Sequence, residues 1–155
     1  MTPDALTVLN LPAHPQDVVA DGPFPTIYDS LRRAYVALTP EEWVRQNFVA
    51  HLIQDLGYPA ALMANEAAIR LNNTLRRCDT IIYDRHLRPL VVVEYKAATV
   101  PITQKVFDQI ARYNLVLGAP YLIVSNGLRH FCCAMSPDGT YNFLRVIPSY
   151  CQISK

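Results

Sequence analysis

The chain has 155 residues, 51% of them hydrophobic and 17% charged, with 14 Lys and Arg against 13 Asp and Glu for a formal net charge of +1. That apolar content excludes a disordered chain, and the length suits one domain with its own core. No run of 18 uncharged apolar residues occurs and the first residues are neither basic nor continuously apolar, so a soluble cytoplasmic protein without membrane span or secretory signal is expected, and one too weakly charged to coat nucleic acid by charge alone.

The charge is unevenly spread. Residues 1–31 hold Asp4, Asp17, Asp21 and Asp29 and no Lys or Arg, a net of −4 that leaves +5 for residues 32–155. Five of the 12 prolines (Pro3, Pro12, Pro15, Pro23, Pro25) fall in the same stretch, which reads as an acidic, extended N-terminal arm packing through Leu6, Val8, Leu9 and Leu11 against a single domain at 32–155. The first helix is expected over 40–56. Thr39 suits the N-cap, Pro40 the first helical position, Glu42 the returning carboxylate of a capping box, and Gly57 the stop.

Three strands are expected next, over 62–71, 75–83 and 89–97, separated by Asn72-Asn73 and Asp84-Arg85-His86, and the short links make them an antiparallel meander. From Thr103 the spacing of Val106, Ile110, Tyr113 and Leu117 becomes helical until Gly118. Pro120–Ser125 reads as a short buried strand, Asn126-Gly127 as a two-residue hairpin turn into a strand over 128–135, and Pro137-Asp138-Gly139 as a turn into a strand over 140–147. The order is helix, three strands, helix and further strands.

The chemistry concentrates at Leu90-Val91-Val92-Val93-Glu94-Tyr95-Lys96. Strand alternation sends Glu94 and Lys96 to one face and Val93 and Tyr95 to the other. Charges ending an apolar strand are costly to bury without a partner or a metal, although an ion pair at a strand edge would satisfy the same pattern. The meander can bring Asp79 beside Glu94. Two carboxylates, a backbone carbonyl such as that of Tyr95, and waters make an oxygen site suited to Mg²⁺, with Mn²⁺ as a substitute, and Lys96 would face it. Such a set suggests phosphodiester hydrolysis.

Asp79 followed fifteen residues later by Glu94-Tyr95-Lys96 resembles the D…(D/E)xK signature of the restriction-endonuclease-like nucleases. The wider text, LTPEEWVRQNFVAHLI (38–53), Asn65-Glu66, RRCDTIIYD (76–84), VVVEYKA (91–97), QIARY (109–113) and YLIVSNG (121–127), is similar to the N-terminal nuclease domain of type I restriction enzyme R subunits over roughly residues 30–150. The resemblance implies a mixed central sheet flanked by helices and a Mg²⁺-dependent DNA endonuclease. It makes Asp79 and Glu94 the metal carboxylates, Lys96 the catalytic lysine, Glu66 an additional acidic residue, and Gln109 and Tyr113 a Q-x-x-x-Y motif that handles DNA beside the centre. Spacing alone puts Gln109 and Tyr113 on one helical face, which a core tyrosine and a solvated glutamine would also satisfy. The chain holds no G-x-x-x-x-G-K-[ST] loop and therefore no motor of its own. The alternative is a catalytically weak DNA-binding module of the same fold that depends on a separate motor or specificity subunit.

Arg70, Arg76, Arg77, Arg85, Arg88 and Arg112 surround the motif in sequence, and Arg76, Arg77 and Arg112 are the candidates for phosphate contact, equally readable as a solvated face. Cys78, Cys132, Cys133 and Cys151 lack zinc-ligand spacing and read as reduced core thiols, and the four histidines form no triad. Besides DNA and a separate subunit, further copies of the chain are partners to consider, with the acidic arm as the contact.

Overall fold

The computed structural model describes residues 6–71, 73–115 and 117–154, without the side chains of Leu71 and Arg76. Helix α1 (Pro40–Gln54) begins as its residue types predict: Thr39 is extended and its hydroxyl accepts the Glu42 N–H at 3.0 Å. The other half of the capping box does not form. The Glu42 carboxylate instead accepts from Arg32 at 2.7 Å and Gln46 at 3.0 Å and lies 3.3 Å from Arg45, so two cations and an amide outcompete one backbone N–H. The Thr39 N–H turns back to the Ala37 carbonyl. Thr39→Ala is expected to cost about 1 kcal/mol of stability, readable by urea denaturation.

Six strands form the main sheet in the order β4 (Met63–Leu71), β5 (Thr74–Tyr83), β6 (Pro89–Tyr95), β7 (Tyr121–Ser125), β8 (His130–Met135), β9 (Tyr141–Leu144). The meander β4–β5–β6 is antiparallel as expected. Asp84 closes the β5–β6 link by accepting the N–H groups of His86 and Arg88. At the β4–β5 turn Asn73 is left-handed, with φ 66°, while Asn72 lies outside the described residues. Helix α2 (Gln104–Leu115) carries the chain across the sheet, which lets β7 pair parallel to β6. The apolar run of β6 is buried on both faces: Val91, Val93 and Tyr95 pack with Phe48 and Leu52 of α1, and Val92 packs with Phe107 and Ala111 of α2.

The Asn126-Gly127 link is longer than a two-residue hairpin. Ser125 pairs with His130, and Asn126 accepts the N–H groups of Leu128 and Arg129, so β8 starts two residues later than the dipeptide suggests. Gly127 has φ 84°, and a Cβ there would lie 2.7 Å from the Leu9 side chain of the N-terminal segment. A short helix, α3 (Tyr150–Ile153), ends the fold, its Tyr150 ring packing on Tyr58. Cys78, Cys132 and Cys133 are buried core thiols as expected, the latter two facing opposite cores, but Cys151 is exposed.

The N-terminal segment is more than an extended arm. It contains β1 (Val18–Val19) and β2 (Thr26–Asp29), which with β3 (Ala34–Ala37) build a separate antiparallel sheet. Residues ahead of it run along the domain: Asn10 donates its N–H to the Gly127 carbonyl at 2.8 Å, Trp43 donates to the Thr7 carbonyl at 3.0 Å, and His14 meets Asp55 at 2.8 Å. Asp29 is fully buried and accepts from the Leu31 and Arg32 N–H groups, the Arg32 side chain and Asn65. From there a buried hydrogen-bond chain crosses the main sheet, with Thr80 donating to Asn65 at 2.6 Å and Tyr95 donating to Thr80 at 2.8 Å. It ends one residue from Glu94.

Candidate active site

Strands β5 and β6 pair as far as Thr80 opposite Val93 and then separate. The next N–H of β6 in bonding position, that of Tyr95, goes to the Asp79 carboxylate at 2.9 Å instead of to a backbone carbonyl. On the other side, Lys96 donates its N–H to the Ser125 carbonyl, which keeps the end of β6 attached to β7. The fork leaves a cavity of about 400 Å³ between the sheet and α2, lined by Arg77, Glu94 and Lys96 from the sheet side and by Gln109, Ile110, Tyr113 and Asn114 from the helix. Alternation had put Glu94 and Lys96 on one face; the crossover of α2 turns that face into a pocket.

Carboxyl groups crowd one another at the fork. Burial, and then the Asp79 carboxylate in contact with it, push Glu94 up to about 9, against the opposing pull of Asn114 and Lys96. Glu94 Oε1 is buried with no hydrogen-bond partner. Burial followed by the charges of Glu94 and Asp79 also pushes the Cys78 thiol up to about 12. Glu41, in the first turn of α1, belongs to the same field: its carboxyl is raised first by burial and then by Asp79, while Lys96 and Arg45 pull it back.

Glu66 lies at the rim. Asn65 pairs with Thr80 and Ala67 with Cys78, which leaves Glu66 and Asp79 between them, and Glu66 takes the left-handed φ of 54° there. A non-glycine residue in that conformation is strained unless its surroundings hold it. Arg45 does so, at 2.5 Å from one Glu66 carboxylate oxygen, with Arg77 3.6 Å from the other. Arg77 reaches the pocket, whereas the side chain of Arg76 lies outside the described ones.

Arg112 is not brought to the site. Asp108, Arg112 and Leu115 are spaced i, i+4, i+7 and line a different cavity with Tyr141, on the flank of α2 away from Val106, Gln109 and Tyr113. Three residues of the site were not singled out from sequence. Glu41 is hidden in a helix start, where acidic residues are ordinary. Arg45 reads as one more helical cation. Asn114 did carry a signal, because it occupies the buried stripe of α2 with Phe107 and Ala111, where a polar residue is out of pattern.

Residues 40–148 match the family described as type I restriction enzyme R protein N terminus. The chain belongs to that family. Among solved structures, a fragment described as an HsdR subunit of a type I restriction enzyme from Vibrio vulnificus YJ016 is similar, with a TM-score of 0.53 and 18% identity over 75% of this chain. The alignment takes in 24% of the Vibrio chain, so this sequence spans about a quarter of that polypeptide, and the likeness is one of fold. No protein of curated function matches the chain. No helix among the described residues is long and apolar enough to cross a membrane.

In this R-protein N-terminal domain the two carboxyl groups at the fork, those of Asp79 and Glu94, offer oxygen donors. Among the described residues no three His, Cys, Asp or Glu side chains are grouped to hold a metal ion. Mg²⁺ does not need three, since it keeps several waters and binds through one or two carboxylates. Asp79 and Glu94 fit that habit. The orphaned Glu94 Oε1 is the observation in favour, because a cation beside it would supply the partner that the protein does not.

Proposed function

We propose that this domain is a Mg²⁺-dependent DNA endonuclease module that hydrolyses phosphodiester bonds. The observation that carries the reading is the convergence of Asp79, Glu94 and Lys96 at one strand fork, beside a cavity that also holds Gln109 and Tyr113, with Glu94 Oε1 buried and unpartnered. Asp79 and Glu94 would hold the cation, which when bound lowers the pKa of its water and offsets charge on the phosphate. Asp79 is oriented for this by the Tyr95 N–H, and Glu94 is held between β6 and α2. Lys96 offers a mobile donor on the same face to orient the attacking water. Arg77 from the sheet side and Gln109 and Tyr113 from the helix side provide donors along the cavity where a phosphate backbone would lie.

The span of this chain against its structural relative favours a second form of the reading, in which cutting needs a motor or specificity partner on a longer or separate polypeptide. Both forms meet one experiment. Purified protein is incubated with supercoiled plasmid and Mg²⁺ or Mn²⁺, beside Lys96→Ala and an EDTA control. Cleavage that EDTA and Lys96→Ala both abolish is the expected result. Equal cleavage by wild type and Lys96→Ala would sink the assignment, and salt-sensitive DNA binding without cleavage at high Mn²⁺ would select the partner-dependent form.

A further inference from the structure

Asn114 is 4% exposed and faces the sheet with Phe107 and Ala111, yet its polar head lines the cavity that holds Glu94. Its Nδ2 donates to the Ile110 carbonyl at 3.0 Å. That bond fixes the orientation of the amide, because only the NH₂ group can face a carbonyl oxygen. The second hydrogen of the same NH₂ is free for the adjacent Glu94, and Oδ1 is left buried without a donor. Glu94 Oε1 is likewise buried without a donor in the same cavity. Native proteins seldom leave such acceptors unpaired. A single water carries two O–H donors and can serve both, and a water held by a cation is fixed in place to do so.

We propose that Asn114 is a positioning residue of the cation site, bracing Glu94 through its amide NH₂ and accepting from a cation-bound water through Oδ1. This rests on the nuclease reading above. Partners beyond the direct ligands commonly change metal affinity by about 10–100-fold when removed.

The test is calorimetric titration of Mn²⁺ into DNA-free protein for wild type, Asn114→Leu, Asn114→Ala and Glu94→Gln, with thermal unfolding as the check on folding. Leucine keeps the branched shape of asparagine at somewhat larger volume and suits a helix, whereas alanine removes the bulk, so an effect common to both variants belongs to hydrogen bonding and not to packing. The expected result is Mn²⁺ affinity weaker by about ten-fold or more in both Asn114 variants, with kcat for plasmid cleavage reduced and KM for DNA unchanged. Wild-type affinity in both Asn114 variants together with lost binding in Glu94→Gln would overturn the role of Asn114 and leave the nuclease reading standing. Wild-type affinity in Glu94→Gln would overturn that reading and this inference with it.

Discussion

Glu94→Gln is expected to abolish metal-dependent cleavage while making the metal-free protein more stable near neutral pH. The loss of activity follows from removing a carboxylate beside Asp79 at the strand fork, where the cation is proposed to sit. Metal stabilisation of a phosphoryl transition state is worth several kcal/mol, so a fall of about a thousand-fold in rate is anticipated, equivalent to roughly 4 kcal/mol. The gain in stability follows from burial. Burial and the Asp79 charge raise Glu94 from an ordinary 4.5 to about 9, so without metal the folded chain favours a protonated Glu94 where the unfolded chain releases that proton. The stability due to this group is therefore complete below about 4.5 and is lost progressively as pH rises toward 9. Glutamine keeps the shape and never ionises. In EDTA, wild-type melting temperature should fall across that window while the variant's stays flatter, the gap at neutral pH amounting to about 2–4 °C for each kcal/mol recovered. Added Mn²⁺ should close the gap by stabilising wild type alone. A variant less stable than wild type in EDTA at neutral pH would mean that Glu94 has a structural partner holding it charged.

The second large effect concerns stability alone. Asp29→Ala is expected to destabilise the domain by about 3–5 kcal/mol, because it leaves the Arg32 guanidinium and the donors of Leu31, Arg32 and Asn65 facing an empty, buried position. Burial by itself would raise the Asp29 carboxyl, but hydrogen bonds from Asn65, Arg32 and Leu31 outweigh it and hold the group below its ordinary 3.8. Its contribution is thus present above that value and disappears as pH falls through the lowered folded one. Urea denaturation at neutral and acid pH measures both features. A cost below about 1 kcal/mol, the range of a solvated ion pair, would show that the N-terminal sheet is merely appended to the main one. The same substitution frees Asn65, and through it Thr80 and Tyr95, so a larger value carries the message that the N-terminal segment helps to set the strand that presents Glu94 and Lys96.

The elements closest to the site were legible in the chain because local rules govern them. The N-cap at Thr39, the apolar strand at Leu90–Val93 and the shared face of Glu94 and Lys96 depend on residue type and strand period, which tertiary context did not override. Two other readings failed where several local options competed. Glu42 could cap its own helix or bind Arg32, Arg45 and Gln46, and only the packing of α1 against the N-terminal segment decided it. Asn126-Gly127 could form a two-residue turn, but the asparagine side chain closed a longer loop. Arg112 is three residues from Gln109 and one from Tyr113, yet a shift in angle around α2 puts it in another cavity.

By itself, then, the chain determined which residues could do the chemistry: an acid within one strand, an acid and a lysine at the end of the next, and a glutamine and tyrosine one helical turn apart. It also determined the antiparallel meander, since links this short permit little else. Only the tertiary structure decided that these residues meet. The crossover of α2 lays Gln109, Tyr113 and Asn114 over the end of β6, and the parting of β5 from β6 lets the Asp79 carboxylate take a backbone N–H and stand against Glu94. Both events join groups distant in the chain, and burial there raises the cost of leaving a charge or an acceptor alone. That cost is what singles out Glu94 and Asn114, and no spacing along the sequence records it.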